Sequence, residues 1–302
     1  MPSGRPCRLP VGRALLVLKP RYIGDAVLSL PLLDCLLAAF DSVSICASEA
    51  LRPIFRDRSC GWLSPPEPGL AAVLRWRRLV AREGFHSAFL ANRSFRSALQ
   101  VRLAGVPVRI GHRTEARGTL LTVAVPYSSI RPEVECLLDL ARACGLECST
   151  ASPVLPRLEE PDGKLRVQPG ARHPWKRPPW SVLGEALSRL RIADSELELV
   201  GGPAEVESCR SFARQFCPGA SIVAGKTDLD GIRGVLSSSR AFVAGDTGLV
   251  HLAAAMGVPT LAFLSPRLAP KWGWHEPTNV TLTSEASADE AAEALQRILD
   301  AT

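Results

Sequence analysis

The segment "FVAGDTGLVHLAAAMGVP", residues 242–259, puts an acid, a hydroxyl, a glycine and an imidazole into one of the most apolar stretches of a 302-residue chain. It reads as a buried strand, a tight turn and an apolar helix. Asp246 at that junction has two readings. As a structural group it caps the helix that begins near Gly248. As a chemical group it stands beside the unpaired N–H groups and positive dipole of a helix N-terminus, a natural seat for a phosphate. Thr247 adds a hydroxyl, and Gly248 lets the backbone approach a ligand closely. His251 falls in the first helical turn, where it either reaches the same anion or is a satisfied core histidine.

The same Gly-Asp pair occurs near the start, in "RYIGDAVLSLP", where Asp25 follows the first strand. It too either caps its helix or serves chemistry; a carboxylate held beside an acceptor hydroxyl is a general base worth roughly 10²–10⁴-fold in rate. Pro31 predicts that this helix is interrupted. Three further stretches gather in the second half. "VQPGARHPWKRPPW" carries Lys176 and Arg177, "ELVGGPAEVE" carries Glu205 just after a strand, and "PRLAPKWGW" carries Lys271 with two tryptophans. The cations suit a diphosphate or a solvated loop. The acid suits ribose hydroxyls or a helix dipole.

Positioning these groups requires strands that end where helices begin. "ALLVLK", "VSICA", "SAFLA" and "VRIG" read as strands in the first half, and "LRVQPG", "ELVGG", "SIVAG", "AFVAG", "TLAFL" and "NVTLT" in the second. Between them "RSALQVRLAG" and "EVECLLDLARACG" have helical apolar spacing, each closed by a glycine suited to a C-cap. Strand–helix alternation of this kind implies right-handed crossovers and mostly parallel sheets. The stretch 149–163, rich in Pro, Ser and acids, reads as a linker, giving domains 1–160 and 161–302. Ser287 reads as the N-cap of a terminal helix. The expected architecture is α/β: two doubly wound domains facing each other across a cleft, with one acid from each domain at a β→α junction.

Composition narrows the partners. Thirty-six Lys and Arg against thirty Asp and Glu give a net charge of +6, which favours anionic partners without choosing among phosphorylated sugars, acidic headgroups and nucleic acid. Two tyrosines and dispersed charge argue against a nucleic-acid binder. Nine cysteines without metal-ligand spacing suggest reduced thiols in a cytosolic protein, and no metal or cofactor site stands out. Arg5, Arg8 and Arg13 precede "ALLVL", a run too short for a signal-peptide core. The apolar region 241–264 is too broken to span a membrane. Neither a P-loop nor a GxGxxG fingerprint is present.

In order along the chain, "IGDAVLSLPLL", "QPGA…WKRPPW", "GGPAE" and "GDTGLVHLAAAMGVPTLAFLSP" resemble glycosyltransferase family 9, the lipopolysaccharide heptosyltransferases. "IGHRTEARGTLLT" and "VECLLDLARACGL" resemble the heptosyltransferase II branch. The resemblance implies a GT-B fold of two Rossmann-like domains and an inverting, metal-independent transfer, usually from ADP-heptose. It also implies site roles. Asp25 matches the general base, Lys176 a diphosphate contact, and Glu205 a ribose binder. Asp246 matches the acid that holds sugar hydroxyls, with Thr247, Gly248 and His251 around the diphosphate. The implied acceptor is an anionic, lipopolysaccharide-core-like glycolipid, met by Arg113 and Arg117 within a basic group that includes Arg109 and His112. The basic stretch 74–82 reads as a solvated helix face or as a peripheral contact with the cytoplasmic face of the inner membrane. "LSPRLAP" departs from the family's usual loop after that strand and leaves the donor's sugar and base open. Two rivals share the fold: a nucleotide-sugar epimerase or hydrolase, and a non-catalytic nucleotide-sugar-binding protein.

Overall fold

A computed structural model describes residues 12–148, 152–274 and 277–301. Arg5, Arg8 and the first three residues of the expected linker 149–163 lie outside the described residues. The chain divides into two compact units, Met1–Pro153 and Val154–Thr302.

The first unit is built on six strands: β1 (Arg13–Val17), β2 (Ser42–Cys46), β3 (Gly61–Leu63), β4 (Ser87–Leu90), β5 (Val108–His112) and β6 (Val123–Val125). They pair in parallel in the order β3-β2-β1-β4-β5-β6. Its helices are α1 (Ile23–Leu28), α2 (Leu30–Ala39), α3 (Leu70–Glu83), α4 (Phe95–Leu103) and α5 (Glu133–Arg142). The inner strands are continuous apolar runs because helices cover both faces of such a sheet. The first helix stops at Leu28 and a new one starts at Leu30, with Pro31 in its first turn. Proline there has no N–H to donate back to the preceding turn, so an unbroken helix would lose that bond.

The second unit repeats the plan with β7 (Leu165–Gln168), β8 (Leu197–Leu199), β9 (Ser221–Ile222), β10 (Ala241–Ala244), β11 (Thr260–Leu264) and β12 (Asn279–Thr283). The order is β12-β11-β10-β7-β8-β9, again parallel throughout. Its helices are α6 (Trp180–Arg189), α7 (Val206–Phe216), α8 (Leu229–Ser237), α9 (Gly248–Ala255), α10 (Ala269–Trp272) and α11 (Ala288–Asp300). Leu165, Val167, Val243, Leu261 and Phe263 of this sheet pack against Leu183, Phe212, Leu295 and Ile298 of the helices. Each such side chain withdrawn from water contributes roughly 1.5–3 kcal/mol. Ser287 opens α11 through a reciprocal capping box with Glu290: Ser287 N–H donates to Oε2 at 2.8 Å and Ser287 Oγ accepts from Glu290 N–H at 3.2 Å.

Counted from its own first strand, each sheet has the order third, second, first, fourth, fifth, sixth. The chain therefore reverses direction between β1 and β4 in one unit and between β7 and β10 in the other. Ligands of such sheets bind at the carboxyl ends of the strands beside that reversal. Among the described residues, no helix is long and apolar enough to cross a membrane.

Candidate functional site

In the first unit the loop after β1 carries Lys19, and Asp25 is the third residue of α1. Asp25 does not cap that helix; the N-cap position is Tyr22. Its Oδ1 instead receives the Lys19 ammonium at 2.6 Å. Burial pushes the Asp25 carboxyl above its ordinary value, against the opposing pull of Lys19 and Arg93, while the charge of Glu133 pushes the same way as burial.

Arg93 follows β4, across the reversal from Asp25. Asn92 fixes this approach, its amide donating to the Leu18 carbonyl at 3.2 Å. The Arg93 guanidinium lies over the Tyr127 ring, 4.3 Å from its centroid, and 3.7 Å from Glu133 Oε1. Tyr127 donates its hydroxyl to Glu133 Oε2 at 2.9 Å. Glu133 is buried at the first position of α5. Sequence reasoning named neither Lys19, Arg93 nor Glu133. Lys19 stands six residues before Asp25 and shows no pattern of its own, and the other two are brought to the crevice by the strand order.

The four basic residues after α4 separate in the structure. Arg113 is exposed. Arg109 is half-buried and donates to the carbonyls of Val106, Pro107 and Leu120. His112 is buried and its Nε2 meets the Cys136 carbonyl at 2.9 Å. Arg117 is 0% exposed, donates to the His112 carbonyl at 2.7 Å and the Ser94 carbonyl at 3.3 Å, and burial lowers its pKa to about 10. The structure thus makes Arg117 an internal strut of the β5 loop and does not bring it to the surface with Arg113. On α3, Trp76 and Val80 are buried while Arg75, Arg77, Arg78 and Arg82 are exposed.

In the second unit, four of the expected residues form one connected set. Asp246 follows β10, and Thr247, not Asp246, occupies the N-cap position of α9. Asp246 Oδ2 pairs with Lys176 Nζ at 2.7 Å, and the Asp246 N–H donates to the Lys176 carbonyl at 2.9 Å. This approach needs Gly245: a Cβ there would collide with the Lys176 carbonyl and lie 2.8 Å from the backbone of Arg177 and Pro178. Thr247 does not cap its helix with its side chain. Its hydroxyl donates to Gln168 Oε1 at 2.6 Å, and Gln168 Nε2 donates to both oxygens of Glu205 at 3.1 Å. Glu205 Oε2 also accepts from Gly202 N–H at 2.7 Å. The ends of β7 and β10 and the loop after β8 are thereby tied together by side chains of Lys176, Asp246, Thr247, Gln168 and Glu205.

His251 is the fourth residue of α9, enclosed at 5% exposure. Its Nδ1 accepts from Trp274 Nε1 at 2.9 Å, which assigns the ring proton of the neutral form to Nε2. Burial lowers its pKa to about 4, with Lys176 acting in the same direction and Asp246 opposing. It is a neutral imidazole held by a tryptophan, within electrostatic reach of Lys176 and Asp246.

An ammonium beside helix N–H groups that no side chain caps suits an anion, and two fixed carboxylates suit hydroxyls. Two sheets of this order in one chain, each with an acid beside its reversal point, are the build of the GT-B fold. Residues 73–298 match glycosyltransferase family 9 (heptosyltransferase), and the chain belongs to that family. The match includes Lys176, Glu205, Asp246, Thr247 and His251 and begins after Asp25. The chain is similar to lipopolysaccharide heptosyltransferase 2 of Escherichia coli (strain K12), 26% identical over 290 residues, which cover 83% of this chain and 82% of the relative. In fold it is similar to a family 9 glycosyltransferase from Veillonella parvula, with TM-score 0.82, 16% identity, and coverage of 98% and 99%. The E. coli ADP-heptose heptosyltransferase II structure superposes with TM-score 0.74, 21% identity, and coverage of 96% and 99%.

Proposed function

We propose that this glycosyltransferase moves heptose from ADP-heptose onto an anionic, lipopolysaccharide-core-like glycolipid, with inversion and without a metal ion. The observation that carries the reading is the connected set Lys176–Asp246–Thr247–Gln168–Glu205 at the reversal point of the second sheet. It offers each part of such a donor a chemically suited partner. The Lys176 ammonium and the N–H groups opening α9 meet the diphosphate, Asp246 the sugar hydroxyls, and Glu205 the ribose hydroxyls. Family membership and the heptosyltransferase 2 relative favour heptose and ADP.

In the reaction, Asp25 accepts the proton of the acceptor hydroxyl as that oxygen bonds to the anomeric carbon. The bond from that carbon to the diphosphate oxygen breaks on the opposite side, and ADP leaves. Negative charge grows on the diphosphate, where Lys176 and the α9 dipole stabilise it; removing one such donor typically costs 10²–10³-fold in rate. A carboxyl pushed above its ordinary value by burial is a stronger base than an exposed one. His251 backs the Lys176–Asp246 pair as a neutral group. Arg113 is the acceptor contact, with Arg117 supporting its loop from inside. Exposed Leu74 and Leu79 beside the arginines of α3 suit a peripheral contact with anionic headgroups at the cytoplasmic face of the inner membrane.

The test is ADP release from ADP-heptose, with and without a heptose-bearing core acceptor and with chelator present. Release that depends on acceptor and persists in chelator supports the proposal. Release without acceptor indicates a hydrolase, and nucleotide binding with no turnover indicates a silent binder.

A further inference from the structure

Gln168 opens the "QPGA" motif, but neither the motif nor the charge pattern assigns it a role. It ends β7 and is 4% exposed, between Thr247 on one side and Glu205 on the other. The direction of this chain of hydrogen bonds follows from its ends. An ionised carboxylate only accepts, so the Gln168 NH₂ faces Glu205 and its carbonyl faces Thr247. Thr247 has one hydroxyl proton, and at 2.6 Å it is committed to Gln168. Toward a ligand, the Thr247 oxygen is left with lone pairs alone. Glu205 is closed in from behind as well, since a Cβ on Gly170 would lie 2.7 Å from Glu205 Cβ.

We propose that Gln168 is a positioning residue that sets hydrogen-bond direction in the donor site, making Thr247 an acceptor for a ligand hydroxyl and holding Glu205 toward the ribose. This rests on the donor-site reading given above and adds a division of labour within it. Thr247 cannot donate to a phosphate oxygen, so the diphosphate is met by the α9 N–H groups and Lys176, and a hydroxyl-bearing part of the ligand lies against Thr247.

Gln168→Glu and Gln168→Met separate direction from packing. The glutamate variant keeps the shape and still accepts from Thr247, but turns a carboxylate toward Glu205. Two touching carboxylates repel, which raises the pH at which the second one ionises. Donation to Glu205 is therefore lost in the doubly ionised pair and returns when the pair takes up a proton. Among the described residues, the titratable groups linked to this position are Glu205, with Cys209 in its electrostatic reach, and, through Asp246 next to Thr247, Lys176 and His251. Burial pushes Cys209 up to about 12 and His251 down to about 4, so neither changes charge between about pH 5.5 and about pH 8.

The experiment is calorimetric titration with ADP, each variant expressed relative to the wild-type chain at the same pH. Gln168→Glu is expected to bind about tenfold more weakly at about pH 8 and to return to within about threefold at about pH 5.5; Gln168→Met stays about tenfold weaker at both. Should Gln168→Met fail to fold, Thr247→Val makes the same comparison by removing the committed proton. It is expected to lose about tenfold, with Thr247→Ser restoring affinity. Wild-type affinity in Gln168→Glu at both pH values, equal acid recovery in Gln168→Met, or full affinity in Thr247→Val overturns the inference alone. Failure of the wild-type chain to bind ADP overturns the donor-site reading beneath it.

Discussion

Lys176 and Asp246 hold each other twice, through the Asp246 N–H to the Lys176 carbonyl at 2.9 Å and through ammonium to carboxylate at 2.7 Å. The backbone bond places the cation at the opening of α9. In the proposed reaction, the side-chain pair holds ready a charge for the departing diphosphate, which is preorganisation of the kind that lowers a barrier.

Gly245→Ala tests this placement without touching either charged side chain. The added methyl has no room against the loop backbone, and such overpacking typically costs about 1–3 kcal/mol. The expected outcome is a lower melting temperature together with weaker ADP binding. A variant that keeps ADP affinity would detach the loop from nucleotide binding.

Asp25→Asn is expected to reduce transfer by at least about 10²-fold while ADP binds as before. It should also stabilise the fold near neutral pH. The Asp25 carboxyl is raised by burial, so the native state favours its protonated form and the ionised form weakens the fold as pH rises through that value. The gain in melting temperature should shrink on acidification. A fixed difference across pH would remove the linkage.

Lys19→Met and Glu133→Gln should move the acid limb of kcat/KM in opposite directions. Lys19 pulls the Asp25 carboxyl down, so its loss shifts the limb to higher pH; Glu133 pushes it up, so its neutralisation shifts the limb lower. Superimposable profiles would mean that Asp25 is not the group titrating.

His251 predicts an acid weakness. Its pKa of about 4 lies below the ordinary value, so the native state binds fewer protons and stability is lost as pH falls from the ordinary histidine range through about 4. The loss attributable to this one buried group is on the order of 3 kcal/mol. Denaturant titrations of wild-type and His251→Gln chains across this range measure it, since glutamine can still accept from Trp274 but does not titrate. Parallel stability curves would contradict the burial of a neutral imidazole.

Arg113 and Arg117 should part company. Arg117→Ala opens a cavity where a fully buried side chain stood and takes its bonds from two carbonyls, and unfolding measurements should show a loss on the order of 2–5 kcal/mol. Arg113→Ala should leave the melting temperature unchanged and raise KM for the acceptor. The reverse pattern would place Arg117 at the ligand.

Most of this architecture was legible because buried strands announce themselves as apolar runs. The two missed strands of the first sheet, Gly61–Leu63 and Val123–Val125, are three-residue edge strands, too short to establish a pattern. The strand read from "ELVGG" lies slightly earlier, at Leu197–Leu199, because Val200 continues the apolar run past the last ladder residue. Asp25, Glu205 and Asp246 stand out in the sequence through the glycines close before them, and Lys176 through the family resemblance. Their partners were not. Gln168 reaches Thr247 across 79 positions and Trp274 reaches His251 across 23, contacts that only the folded sheet order creates. The burial of Arg117 is not legible, because a charge in sequence carries no sign of it and its partners are the backbone carbonyls of His112 and Ser94, which no side-chain pattern reveals.

The most direct measurement is calorimetric titration of the chain with ADP, UDP and GDP, repeated with Lys176→Ala. The account predicts micromolar binding that favours ADP and weakens about tenfold or more in the variant. Preference for UDP or GDP, or affinity for ADP that ignores Lys176, would contradict it.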